Sequence, residues 1–331
     1  MTGVFRGGDD LNQGLGMSIA FVFPGQGSQA VGMGKALADN FPAARGVFAE
    51  VDEALAQNLS RIMWEGPEAD LTLTENAQPA LMAVSMAVVR VLEAEHGISM
   101  AGKASCLAGH SLGEYAAHAA AGTFSLADTA RLLKIRGKAM QAATPVGIGA
   151  MAALLGLDFA TAAAAAAEGA QGDVCQAAND NSDGQVVISG HKAAVERAAE
   201  IAKAKGAKRA IMLPVSAPFH CALMQPAADA MAEALAQVAM NAPSVPVYAN
   251  VRASALTEPA AIRASLVEQV TGTVRWRECV ANMAAGGVTL FVELGSGKVL
   301  TGLAKKNAPN AQGIAIGTPE DFLNALPLLK G

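Results

Sequence analysis

The chain has no CxxC pair, no basic tract and no run of 18 consecutive apolar residues, and each absence removes a class of function. Its four cysteines, Cys106, Cys175, Cys221 and Cys279, are scattered through 331 residues. They form no cluster of metal-ligand spacing, so neither a metal site nor a disulfide framework is expected, and a reducing, cytoplasmic setting fits. Nucleic-acid binding rests first on Lys and Arg neutralising phosphates. A formal net charge of −5 offers little of that, which leaves small molecules and proteins as partners. A membrane-spanning helix needs about 20 predominantly apolar residues in succession. The hydrophobic share of 52% is inflated by alanine and never builds such a run, so no membrane association is expected. The first sixteen residues carry Arg6, Asp9, Asp10 and many glycines but no apolar block, unlike a secretory signal. We read residues 1–16 as a disordered extension.

What remains is long enough for one large domain with an inserted module, or for two modest domains. Ile19 to Phe23 reads as a short buried strand ending at Pro24, and Gly25-Gln26-Gly27-Ser28-Gln29 as a tight loop. Helical spacing follows over Phe41 to Trp64, and an Ala-, Met- and Val-rich helix over Gln78 to Glu95; both read as covering helices. A short strand, Ala104 to Ala108, then meets Gly109-His110-Ser111-Leu112-Gly113 and an alanine-rich helix ending near Gly122.

Between Gly147 and Pro214 the order becomes strand, helix, strand, strand, helix, strand, with a turn at Asn181-Ser182-Asp183-Gly184. That βαββαβ order predicts a ferredoxin-like subdomain over 147–214, inserted into an α/β body made of 17–146 and 215–331. No repeat of coiled-coil type and no long exposed apolar helix is apparent, so a monomer is expected.

Gly109-x-Ser111-x-Gly113 has the form of a nucleophile elbow: small residues on both sides let a strained strand-to-helix turn expose the hydroxyl. The alternative is an ordinary glycine-rich turn. A serine hydroxyl needs a base, usually histidine, and the chain has five. His96 stands beside Gly97 at a helix end, His118 lies in the alanine-rich helix and His191 opens a helix; each reads as structural. His110 adjoins Ser111, but successive residues of a turn point apart, so it reads as a buttress. His220 remains, on the proline-stiffened stretch Pro214-Val215-Ser216-Ala217-Pro218-Phe219, where a loop histidine can face a cleft.

Two other motifs compete. Gly25-Gln26-Gly27-Ser28-Gln29-Ala30 fits the dinucleotide pattern G-x-G-x-x-A, but Glu50, Asp52 and Glu53 fall in a helical stretch rather than at the end of a second strand. Gly295-Ser296-Gly297-Lys298 resembles the end of a P-loop, but Val292 and Val299 stand where glycine and Ser or Thr belong.

Five ordered segments carry a resemblance. They are Phe23-Pro24-Gly25-Gln26-Gly27-Ser28-Gln29, Gly109-His110-Ser111-Leu112-Gly113-Glu114-Tyr115, Arg136-Gly137-Lys138, Pro218-Phe219-His220-Cys221 and Gly295-Ser296-Gly297-Lys298-Val299-Leu300. From about Ser18 to Lys305 the chain resembles the malonyl-CoA:acyl carrier protein transacylase family. The resemblance implies an α/β-hydrolase-like large subdomain with an inserted ferredoxin-like small one. It implies Ser111 as nucleophile, His220 as base, and an oxyanion hole from the backbone N–H groups of Gln26 and Leu112. It places Arg136 in the acyl pocket, Gln269 beside His220 through its main-chain carbonyl, and Asn179 as a further lining residue. Leu112 and Phe219 resemble the malonyl-selective members, where bulk restricts an α-methyl branch.

The implied partners are malonyl-CoA and acyl carrier protein, with the coenzyme A thioester as substrate, no further cofactor, and fatty acid synthesis as the setting. Two readings stay open: a serine hydrolase or thioesterase with the same elbow, and an inactive carrier-binding scaffold.

Overall fold

The computed structural model describes residues 17–215 and 217–331; the expectation for residues 1–16 lies outside the described residues. Strand β1 (Ile19–Phe23) is buried along its whole length, as a central parallel strand covered on both faces must be. It pairs in parallel with β2 (Ala104–Gly109) on one side and with a later strand, Leu290–Leu294, on the other.

A second, separate sheet lies between them in sequence. It consists of β3 (Gly149–Leu155), β4 (Cys175–Ser182), β5 (Gln185–His191) and β6 (Arg209–Met212) in the spatial order β4-β5-β3-β6, with every pairing antiparallel. Helices Phe159–Ala170 and Lys192–Ala204 complete the strand–helix–strand–strand–helix–strand order and supply alanines to a core of their own with Leu154, Val186 and Ile188. The hairpin turn is Asp183-Gly184, with Ser182 paired to Gln185, and Gly184 supplies its left-handed residue at φ 75°. β4 therefore runs through Asn179 and Asn181, which are strand residues and not part of the turn.

The chain then returns to the first sheet with β7 (Val247–Ala249), β8 (Ser254–Leu256), β9 (Leu290–Leu294) and β10 (Gln312–Ile316), giving the order β10-β9-β1-β2-β7-β8. All pairs are parallel except β7 with β8. The molecule is thus a mixed α/β fold with one parallel-rich sheet and one antiparallel sheet.

Helix Thr74–His96 departs from the sequence expectation. It is not a covering helix but runs through the main core, buried on all sides from Asn76 to Val89. By length and composition it alone among the described helices could span a membrane, yet 83% of its most apolar window is buried inside the protein. The helical stretch expected over Phe41 to Trp64 is two helices, Pro42–Leu55 and Leu59–Glu65, broken where Ala56 turns left-handed at φ 46°.

β1 and β2 end side by side, Phe23 opposite Gly109. Because β9 joins β1 from the other side, the strand order switches direction here, which is where open α/β sheets form their clefts.

Candidate active site

The turn after β2 is forced by close packing. A Cβ on Gly109 would lie 1.9 Å from the backbone of Gly113, and one on Gly113 would lie 2.2 Å from the carbonyl oxygen of Phe23. Neither position can carry a side chain, so the turn closes tightly and Ser111 takes φ 53° at its apex. A non-glycine residue there is strained by about 1–3 kcal/mol and needs its surroundings to hold it. Asn250, just past β7, does so: its Oδ1 accepts the Ser111 N–H at 2.8 Å and its Nδ2 donates to the Gly109 carbonyl at 2.7 Å. Helix Gly113–Ala120 begins directly after the turn.

His220 arrives from the loop after β6 and is also left-handed, at φ 58°. Its Nε2 lies 2.7 Å from the Ser111 hydroxyl, and its Nδ1 lies 2.9 Å from the main-chain carbonyl of Gln269. A carbonyl only accepts, so Nδ1 carries the proton and Nε2 presents a lone pair to the hydroxyl. Burial, reinforced by the neighbouring Arg136 charge, pulls the imidazole down to about 3, so it stays neutral near pH 7. A neutral imidazole at this distance can accept the serine proton.

Arg136, on helix Leu126–Ala142, is 1% exposed. Its guanidinium donates to Gln78 Oε1 at 2.7 Å, to Gln269 Oε1 at 2.9 Å and to the Ser111 hydroxyl at 3.1 Å. It lies 5.6 Å from the centroid of the Tyr115 ring. These partners are neutral, and Nε has no hydrogen-bond partner among the described residues. A buried fixed cation whose hydrogen-bond partners are all neutral is poised to receive an anion. Burial pulls its affinity for the proton down, but a guanidinium remains charged.

These groups face a cavity of about 590 Å³ between the two sheets. Gln26, Leu112, Arg136, Phe219, His110 and Asn179 all reach its wall, with Met151 and Val187 from the antiparallel sheet opposite. Gln26 is steadied by Thr74, whose hydroxyl donates to its Oε1 at 2.7 Å. Among the described residues the backbone N–H groups of Gln26 and Leu112 have no hydrogen-bond acceptor. Phe219 is 9% exposed and Leu112 is 1% exposed. His110 turns away from Ser111: its Nε2 lies 2.8 Å from Asn181 Oδ1, joining the elbow to β4.

The other histidines lie elsewhere. His96 ends its helix before Gly97, His118 faces the Thr123 hydroxyl at 3.3 Å, and His191 accepts the Val174 N–H at 2.9 Å. No helix starts at the Gly25–Gly27 loop, so the dinucleotide motif lacks the helix it requires. At the P-loop look-alike, helix Val299–Asn307 has its N-terminus filled by the buried Glu293, which accepts from Leu300 N–H at 3.1 Å and Thr301 N–H at 2.8 Å. The protein's own carboxylate occupies the place a phosphate would take.

A family model described as an acyl transferase domain matches residues 20–316. The malonyl CoA-acyl carrier protein transacylase of Escherichia coli strain K12 is 49% identical over 309 residues, covering 93% of this chain and 99% of that protein. The chain belongs to the malonyl-CoA:acyl carrier protein transacylase family. Among solved structures, the acyl-carrier-protein-S-malonyltransferase of Bartonella henselae superposes with a TM-score of 0.93 at 57% identity, covering 95% of this chain and 100% of that one. A malonyl-transacylase in complex with its type II PKS acyl-carrier protein superposes at 0.90 with 44% identity, covering 94% and 99%.

Among the residues around Ser111, His220 and Arg136, the sequence does not single out Gln78, Glu114, Asn181 or Asn250. Gln78 was hidden in an apolar helix and Asn250 at the end of a three-residue strand. Glu114 stood inside the Gly109–Tyr115 motif, where its place in the pattern was visible but its burial, 0% exposed, was not.

Proposed function

We propose that this protein transfers a malonyl group from malonyl-CoA to the phosphopantetheine thiol of acyl carrier protein, supplying fatty acid synthesis. One observation carries the reading: the Ser111 hydroxyl is held 2.7 Å from a neutral imidazole and 3.1 Å from a buried guanidinium whose partners are all neutral.

Ser111 Oγ attacks the thioester carbonyl while its proton passes to His220 Nε2. The N–H groups of Gln26 and Leu112 receive the oxyanion; one such donor is typically worth ~10²- to 10³-fold in rate. The carbon–sulfur bond breaks, the imidazolium returns the proton to sulfur, and coenzyme A leaves a malonyl-Ser111 ester. The carrier thiol then gives its proton to His220 and attacks the ester, and Ser111 Oγ recovers the proton; the cycle is ping-pong. Arg136 exchanges a neutral partner for the free malonyl carboxylate, each charged hydrogen bond being worth about 1.5–3 kcal/mol. Phe219 and Leu112 limit room beside the α-carbon. Asn179, Asn181 and His110 line the approach for the pantetheine arm. No cofactor beyond the thioester substrate enters these steps.

The finer architecture belongs to the same reading. Residues 17–146 and 215–331 form an α/β-hydrolase-like body, and 147–214 a ferredoxin-like insert, whose β6-β3-β5-β4 order supports that label. The protein works as a cytoplasmic monomer. The solved complex of a related malonyl-transacylase with its carrier supports the choice of acceptor.

Intact-protein mass spectrometry after mixing with malonyl-CoA tests the reading. One malonyl unit on Ser111, discharged by holo acyl carrier protein, is expected. Discharge by water at the same rate without carrier identifies a hydrolase, and an unmodified chain identifies a scaffold; either outcome overturns the proposal.

A further inference from the structure

Glu114 is a buried carboxyl group of the site that the steps above leave unused. It is fully buried, three residues after Ser111 in the first turn of helix Gly113–Ala120, and its own N–H donates to the Ser111 carbonyl at 3.0 Å. A buried carboxylate needs compensation. Here one oxygen, Oε2, accepts two hydrogen bonds, from Gln269 Nε2 at 2.7 Å and from the Asn250 main-chain N–H at 3.0 Å. The other, Oε1, has no hydrogen-bond partner among the described residues.

The two residues so joined are the holders of the two reacting groups. Asn250 grips the Ser111 N–H through its side chain, at 2.8 Å, and Gln269 grips the His220 Nδ1–H through its main-chain carbonyl, at 2.9 Å. Gln269 Nε2 reaches two further acceptors, the Ser111 carbonyl at 3.0 Å and Asn250 Oδ1 at 3.3 Å, but Glu114 is the nearest. Because Glu114 Oε2 acts as an acceptor, it also fixes which end of the Gln269 amide faces it, and so turns Oε1 towards Arg136, at 2.9 Å.

We propose that Glu114 is a positioning residue for acyl transfer: by binding Asn250 and Gln269 to one oxygen, it sets the separation of the Ser111 hydroxyl and the His220 imidazole. The inference rests on the Ser111–His220 reading above. What matters is an acceptor oxygen at this point rather than its charge, because both bonds go to a single atom that an amide oxygen can replace. Burial supports this, since it pushes the carboxyl up to about 7 and so favours its neutral form.

Single-turnover acylation of Ser111 by malonyl-CoA, followed by mass, tests this with Glu114→Gln, Glu114→Met, Gln269→Ala and the Met/Ala double variant. Glu114→Gln is expected to acylate within about 3-fold of wild type, whereas Glu114→Met, of similar size but without the oxygen, loses about 10²-fold in the saturated rate, as a misplacement of about 1 Å does. The malonyl-CoA concentration giving half the maximal rate should change less than about 3-fold in Glu114→Met, and the double variant should be no more than about 3-fold slower than Gln269→Ala, because both changes break one chain of contacts.

Glu114→Met acylating like wild type, or multiplicative losses in the double variant, overturns the proposal. So does failure of Glu114→Met to fold, which would make the residue structural. A wild-type protein that gains no malonyl on Ser111 instead removes the reading beneath it.

Discussion

Nε2 of His220 lies 2.7 Å from Oγ of Ser111, and both residues hold left-handed backbones, at φ 58° and 53°. Such conformations cost about 1–3 kcal/mol each in a non-glycine residue and persist only where neighbours over-determine them. Here the neighbours are the two glycines of the elbow, the clamp of Asn250, and the Gln269 carbonyl. The strain makes sense as geometry: it lifts the serine above its turn and swings the imidazole from a loop of the other chain segment to meet it.

Loss of either partner should therefore act on the chemical step. Ser111→Ala is expected to abolish acylation by malonyl-CoA, and His220→Ala to slow it about 10²- to 10⁴-fold, the usual range for a general base. Stopped-flow release of coenzyme A measures both. Acylation of the His220→Ala variant at wild-type rate would exclude this imidazole as the base.

Arg136 hydrogen-bonds only to neutral partners in the free site, Gln78, Gln269 and Ser111, so its donors are available to a substrate carboxylate. Arg136→Ala is expected to lower kcat/KM for malonyl-CoA by about 10²-fold, in line with loss of one or two charged hydrogen bonds. The same change should ease transfer of acetyl, which leaves the cation unmatched in the wild type. Competition between malonyl- and acetyl-CoA reads the ratio directly; an unchanged preference contradicts the assignment of Arg136 to the acyl pocket.

The pairs that chemistry demands were easier to see in the sequence than the residues that hold them. Ser111 stood out because glycines at 109 and 113 leave a specific steric pattern, and His220 because the other four histidines had ordinary settings. Gln269 and Arg136 came only with the family resemblance: a main-chain carbonyl leaves no trace in residue identity, and an arginine in a helix looks like a solvated cation until burial is known. The βαββαβ order was legible from alternating period and turn residues. The central position of helix Thr74–His96 was not, since its apolar residues go all the way round and give no face to read. Asn250 and Gln78 were invisible for the converse reason: single amides carry no pattern, and their roles depend on contacts 139 and 58 positions away in the chain.

Phe219 and Leu112 line the cavity beside the reacting serine with little exposure. On the proposed reading they restrict the room for an α-methyl branch. Phe219→Ala is expected to raise kcat/KM for methylmalonyl-CoA relative to malonyl-CoA by about 10-fold, at the low end of what one methyl group is worth in an apolar pocket. Parallel assays with the two thioesters measure the ratio, and an unaltered ratio would mean that selectivity is set elsewhere.

Acid should affect activity and stability differently. Burial holds His220 down to about 3, so the imidazole is still neutral, and still a base, well below the ordinary histidine value of 6.5. Single-turnover acylation should therefore show no inflection near 6.5 as pH is lowered from about 8 to about 5; a rate that titrates there both in the wild type and in Glu114→Gln would mean an imidazole open to water. Stability follows the opposite course for each buried histidine. His118 is likewise pulled by burial to about 3, while in the unfolded chain it protonates near 6.5. Between those values the unfolded state binds the extra proton, so the contribution is complete above 6.5 and is lost progressively as pH falls towards 3. Glu114, pushed up to about 7 by burial, works in the other sense, favouring the folded state on acidification from about 7 to its ordinary 4.5. The difference between variants isolates the histidine. His118→Gln should lose less stability than the wild type between about pH 7 and about pH 5 in urea titrations. Parallel losses in the two proteins would show that His118 protonates as readily folded as unfolded.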